Sequence, residues 1–133
     1  MKFKVFDKNS QGAVGSKGET TPKISVSENG VLFLNRPAKE LLNHQNIKIV
    51  QDEESPKDWY LTADDEGFFF REKIKYPKEK GQISGYITNS TTVFKAMKEA
   101  LGLVKVTSKM NIAATPVTID GQDYYAILTG SIH

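Results

Sequence analysis

The chain of 133 residues has no cysteine, two histidines, and no run of apolar residues approaching the 18 that a membrane-spanning helix needs. Without cysteine it can form neither a disulfide framework nor a cysteine zinc site, and it has no thiol nucleophile. His44 and His133 have no companion at the spacing of a metal site. We therefore expect no metal, no cofactor and no membrane partner. Because the lack of cysteine fits a reducing compartment, we expect a cytoplasmic protein.

Catalytic motifs are also lacking: there is no Gly-x-Ser-x-Gly elbow, no phosphate-binding P-loop and no dinucleotide fingerprint. The acidic clusters at 52–54 and 64–66 lack the alternating ligands and central glycine of a calcium loop, so they are predicted to be solvated turns. We predict a non-catalytic protein. The alternative is an enzyme whose carboxylates meet in space and not in sequence.

The length and composition are typical of one soluble domain, which we predict to span residues 1–133. Residues 7–23 are rich in Gly, Ser and Thr and are predicted to be a flexible loop or arm. The net charge is only +2, so any nucleic-acid binding would depend on a local basic patch and not on the charge of the whole protein.

Turn and cap residues indicate the first elements. Asn29-Gly30, between apolar segments at 24–28 and 31–34, predicts a type I′ hairpin with Val26 opposite Phe33. Asn35 is a good helix N-cap and is followed by Pro37, which predicts a short helix over 36–43.

The second half follows the same kind of pattern. Apolar residues at helical spacing predict a helix over Thr91–Leu101, which Gly102 ends. We predict a strand at 103–107 and leave 108–115 open, as a strand edge or a loop. Asp120-Gly121 predicts a second hairpin, with Val117 opposite Tyr124. The fold class is therefore α+β: a mainly antiparallel sheet with two helices, one short and one of about three turns.

The segment 67–76, GFFFREKIKY, is the most informative stretch. As one β-strand, it would alternate between a largely apolar face, with Phe68 and Phe70, and a face on which cations follow an aromatic ring. Two further lysines in the following turn would extend the basic track. The predicted nucleic-acid site is Phe69, Arg71, Lys73, Lys75, Lys78 and Lys80.

These residue types suit a nucleic-acid strand because cations neutralise phosphates and flat rings stack on bases. A strand repeats both at about 7 Å on one face, a spacing comparable to successive nucleotides in an extended chain. We therefore expect a small protein that binds single-stranded or duplex nucleic acid. The alternatives are an amphipathic strand with a solvated basic face, and a structural or protein-interaction module that forms a homodimer through its sheet edges.

Residues 24–62 also resemble the hairpin–helix–hairpin unit of the AbrB-type swapped-hairpin DNA-binding family. The resemblance rests on GVLFL at 30–34, AKELL at 38–42 and IKIV at 47–50. The family's proline at the strand end is displaced here by Asn35 and Arg36, and its Gly-Asp before the next strand is replaced by HQN at 44–46. The resemblance implies an interlocked dimer that binds duplex DNA through basic residues such as Arg36 and Lys39.

Overall fold

The computed structural model describes residues 20–74 and 83–133. Within these two ranges, ten strands, two α-helices and a final 3₁₀ turn follow one another. They are β1 (Lys23–Ser27), β2 (Val31–Leu34), α1 (Arg36–Leu42), β3 (Asn46–Asp52), β4 (Ser55–Ala63), β5 (Phe68–Phe69), β6 (Arg71–Ile74), β7 (Ile83–Asn89), α2 (Thr91–Leu101), β8 (Thr107–Ile112), β9 (Val117–Ile119), β10 (Gln122–Leu128) and the 3₁₀ turn Thr129–Ser131. Every strand pair is antiparallel, so the predicted α+β class is confirmed.

The first hairpin forms where predicted, but its register is shifted by one residue. Val26 stands opposite Leu32, and Ser25 stands opposite Phe33. The N–H of Gly30 donates to the Ser27 carbonyl at 2.8 Å, and Gly30 takes the left-handed conformation at φ 83°. This is a three-residue loop in which a turn is followed by a left-handed glycine, and not the predicted type I′ turn. The shift places Val26 and Leu32 together in the core and turns Phe33 outward.

The second hairpin is confirmed, with Tyr124 opposite Val117. Asp120 and Gly121 both have positive φ, at 53° and 79°, as a type I′ turn requires. Both helix predictions also hold. The Asn35 side chain accepts a hydrogen bond from the Ala38 N–H at the start of α1, and Gly102 takes the left-handed conformation after α2.

The predicted strand over 67–76 is broken at Phe70, which is buried. Before the break, β5 pairs with β3; after it, β6 pairs with β7. The strand order is β5-β3-β4-β10-β8-β1-β2-β7-β6, so these two strands lie at opposite ends of the sheet's pairing path. Because only Phe70 separates them along the chain, the sheet must curl round until its two ends meet. A single flat strand was therefore the wrong prediction.

This curled sheet encloses the core. Alternate residues of the strands point inward and fill it. The helix α1 packs against the core through Ala38 and Leu42, and α2 packs against it through Phe94 and Met97. The core residues from the strands are Ile24, Val26, Leu32, Leu34, Ile47, Trp59, Leu61, Met110, Ile112 and Ile127. In β1 and β2 the residues of the other parity face outward and are only partly buried, whereas in β4 the adjacent residues Leu61 and Thr62 are both buried.

One further strand was placed wrongly. The predicted strand at 103–107 is mainly a loop, and the segment left open at 108–115 contains most of β8. The polar residues of β8 obscured its pattern, because Ser108 is buried between Thr107 and Lys109, which are exposed. Of the predicted arm at 7–23, residues 7–19 lie outside the described residues, whereas Lys23 already belongs to β1.

Candidate functional site

The structure describes three of the six predicted site residues. Arg71 and Lys73 project from the outer side of β6 and are exposed, and Phe69 on β5 is 52% exposed. Phe69 pairs across to Asn46, at the other end of the pairing path from β7. The predicted residues Lys75, Lys78 and Lys80 lie outside the described residues.

The register of five neighbouring strands aligns one row of outward residues. Ser25 on β1 stands opposite both Lys109 on β8 and Phe33 on β2. Ile87 on β7 stands opposite both Phe33 and Arg71. The row from Lys109 to Arg71 crosses four strand spacings, or about 19 Å. Two cations therefore stand at its ends, with a hydroxyl, an aromatic ring and an aliphatic side chain between them.

A groove of about 540 Å³ lies along this face. It is lined by lysines from three strands, Lys23 of β1, Lys73 of β6 and Lys109 of β8, and by the ring of Phe33. In the part of the chain that the structure describes, no Asp or Glu lines it. The groove therefore combines a positive potential with an apolar floor, and both suit an elongated anion that carries flat apolar groups.

The ring of Phe33 packs over Gly85, which lies on the neighbouring strand β7. A Cβ atom at Gly85 would collide with Cε1 and Cζ of the Phe33 ring, so the tip of the ring lies over the bare backbone of β7. Gly85 itself is buried, whereas Phe33 remains partly exposed. The aromatic ring therefore leans across the outer sheet surface between Ser25 and Ile87 and does not enter the core.

The one acidic residue of β6 points away from this face. Glu72 stands opposite Tyr86, whose ring lies 4.1 Å from Nζ of Lys39 on α1. Burial lowers the pKa of Lys39, and the nearby Glu72 carboxylate opposes that shift. Of the two basic residues that the AbrB resemblance implies for DNA binding, Arg36 is exposed to solvent, whereas Lys39 is half-buried against the Tyr86 ring. On the outer face, Arg71 reaches the Asn89 side chain at 3.5 Å.

A separate polar cluster lies beside the turn at 64–67. Nε2 of His44 is 3.0 Å from Asp65, while Nδ1 of His44 accepts the Asn46 N–H. Hydrogen bonds from the Glu66 N–H and from Lys48 hold the pKa of Asp64 below its usual range. Across residues 20–74 and 83–133, no group of three or more His, Cys, Asp or Glu side chains is arranged to hold a metal ion. These contacts fix the turn on which β5 begins.

Of the residues that line the groove, sequence reasoning predicted only Lys73; the missed residues include Lys23, Phe33 and Lys109. The pattern that would have found the two lysines is the alternation of polar and buried residues along a strand. In KISVS at 23–27 and in TSKMN at 107–111, a polar or basic residue precedes each buried one. Phe33 was predicted to stand opposite Val26, and not opposite Ser25, because the predicted turn was one residue too short. Aligning the strands in three dimensions was also needed, because these residues are up to 86 positions apart in the chain.

Comparison with known proteins gives no assignment: no family model, no curated protein and no solved structure matches the chain. Residues 24–62 form a hairpin, a short helix and a pair of strands, and the resemblance to the AbrB-type family stays a prediction. Within the described ranges, no helix has the length and apolar character needed to cross a membrane.

Proposed function

We propose that the protein is a small, non-catalytic nucleic-acid-binding protein whose site is the outer face of β8, β1, β2, β7 and β6. The observation that carries the proposal is the groove, where lysines from three strands surround Phe33 and where no acidic side chain lies among the described lining residues. An ordinary solvated basic face needs neither a groove nor a partly exposed ring in the middle of the cations. This arrangement instead matches what a phosphate backbone with attached bases requires.

Arg71 and Lys73 of the predicted site remain in the proposed site, whose centre is now Phe33 in the groove and not Phe69. Phe69 lies outside the groove lining, whereas Phe33 and Lys109 lie within it. Lys75, Lys78 and Lys80 lie outside the described residues, and their part in the site stays a prediction.

The expected salt dependence can be calculated. Three contacts to phosphate, from Lys73 and Lys109 of the groove and from Arg71, which ends the aligned row outside the groove lining, give a slope of log K against log salt of about −2 for a single strand. Between 50 and 200 mM salt, such a slope weakens binding by about 20-fold. Each lysine removed should lower the magnitude of the slope by about 0.7.

The experiment is fluorescence anisotropy of a labelled single-stranded oligonucleotide, with a duplex of the same sequence, at several salt concentrations. Lys73→Ala and Lys109→Ala should weaken binding and reduce the slope. Lys95→Ala is the matched control, because Lys95 is an exposed lysine of α2 that does not line the groove. Equal losses in all three variants would point to net charge alone and would remove this site.

The same titration tests the duplex reader that the AbrB resemblance implies. Arg36 is exposed at the start of α1 and does not line the groove. A duplex reader of that type would lose duplex affinity in Arg36→Ala. The groove proposal expects Arg36→Ala to bind single strands as the unaltered protein does.

A second candidate function is self-association through a sheet edge. Among the described strands, β9 pairs only with β10, and its Val117 and Ile119 are about half exposed (48% and 51%) on one face. An unpaired edge with apolar side chains can add the strand of a second copy. Sedimentation at 1–100 μM protein tests it: a mass that rises with concentration, and falls in Ile119→Lys, supports a homodimer, whereas a constant monomer mass contradicts one.

A further inference from the structure

We propose that Phe33 is a stacking platform for an unpaired base, so that the groove takes single-stranded nucleic acid in preference to duplex. This inference rests on the proposed function and adds the substrate class and the residue that selects it.

The position of Phe33 supports stacking. The ring is partly exposed on the outer face, whereas its neighbours on β2, Leu32 and Leu34, are fully buried. Its tip lies over Gly85, where any larger residue would displace it. A ring laid over a glycine loses little mobility when a base covers its exposed side, because the sheet has already fixed its orientation.

The surroundings of Phe33 fit a nucleotide. Ser25, directly opposite on β1, offers a hydroxyl that can donate to or accept from the edge of a base. Lys109 is one strand further on, and Lys73 approaches from the opposite side of the groove. A base on the ring would therefore have a cation within a few strand spacings on either side, where the adjoining phosphates would lie.

Geometry excludes a paired base from this role. Inside a duplex both faces of each base are covered by its stacked neighbours, so the ring cannot stack on an internal base unless a base pair is opened at a cost of a few kcal/mol. The lysines can bind the phosphates of either form. The ring therefore supplies the difference between single strand and duplex, and the lysines supply the salt dependence that both share.

The experiment is anisotropy with three ligands: a labelled oligothymidine of 12 nucleotides, an abasic strand of the same length, and a duplex of that length. Phe33→Leu keeps an apolar side chain and removes the aromatic face. Phe69→Leu is the matched control, since Phe69 is an outward phenylalanine that does not line the groove. Far-ultraviolet circular dichroism and a melting curve establish that each variant is folded.

We expect Phe33→Leu to bind the oligothymidine at least about fivefold more weakly, and Phe69→Leu to bind it as the unaltered protein does. The unaltered protein should bind the abasic strand about as weakly as Phe33→Leu binds the normal one. In Phe33→Leu, the two strands should bind alike. The abasic comparison uses the unaltered protein and so does not depend on the variant's folding.

Two results would overturn the inference, and they differ. If the unaltered protein binds the oligothymidine and the abasic strand equally, with a salt slope that falls in Lys109→Ala, the proposed function stands and Phe33 is not a stacking platform. If the unaltered protein binds none of the three ligands at 50 mM salt, the proposed function fails and the inference fails with it.

Discussion

Substituting Gly85 by alanine should destabilise the protein and also impair the groove. The added Cβ would collide with the Phe33 ring and would lie 2.8 Å from the Leu34 carbonyl oxygen, which is backbone and cannot swing away. Overpacking of this kind costs about 1–3 kcal/mol. Replacing a strand glycine by alanine returns about 0.5–1 kcal/mol of chain entropy. The net loss of unfolding free energy should therefore be between about 0 and 2.5 kcal/mol, with a central value of about 1.3 kcal/mol.

Urea denaturation measures this loss directly. With a denaturant slope of about 1.5 kcal/mol per molar, the midpoint should fall by about 1 M. Gly130→Ala is the control, because nothing lies within 4 Å of a Cβ at Gly130 and its stability should change by less than about 0.5 kcal/mol. Gly85→Ala should also bind single strands more weakly, as Phe33→Leu does. Equal midpoints in the two alanine variants would refute the packing of Phe33 over β7.

Four further substitutions, which make three tests, probe the fold. Asn35→Ala should cost about 2 kcal/mol, because its side chain accepts from two backbone N–H groups and donates to the Thr21 carbonyl; urea midpoints measure it. Gly30→Ala should destabilise more than Gly121→Ala: both glycines have positive φ, but only at Gly30 would a Cβ meet another residue, Thr91 at 2.7 Å, so similar losses would contradict the hairpin packing. The lowered pKa of Asp64 implies stability that is present above its ordinary value of 3.8 and is lost as the pH falls through the folded-state value. Asp64→Asn should therefore lose less stability than the unaltered protein between pH 5 and 2 in a series of urea titrations, and an identical pH dependence would contradict this.

Local signals predicted the local elements well. Asn35 and Gly102 marked the ends of the two helices, and Asp120-Gly121 marked a hairpin whose register is confirmed. These predictions held because each depends on a backbone conformation that a few adjacent residues decide.

Predictions that needed longer-range information failed. The residue types at 67–76 suit one strand, but the structure divides them into two strands because Phe70 is buried and the sheet closes there. The closure depends on the pairing of strands that lie far apart in the chain. The Asn29-Gly30 pair permits both a two-residue and a three-residue loop, and the burial of Leu32 decides between them. The parity of Arg71 and Lys73 was predicted correctly, whereas their association with Lys109 depends on the order of the strands.

The most direct test of the account is the slope of log K against log salt for a single-stranded oligonucleotide, compared between the unaltered protein and the double variant Lys73→Ala/Lys109→Ala. The account predicts a slope of about −2 for the unaltered protein and a loss of about 1.4 of its magnitude in the double variant. No measurable binding at 50 mM salt, or the same slope in both proteins, would contradict the claim that the groove binds nucleic acid.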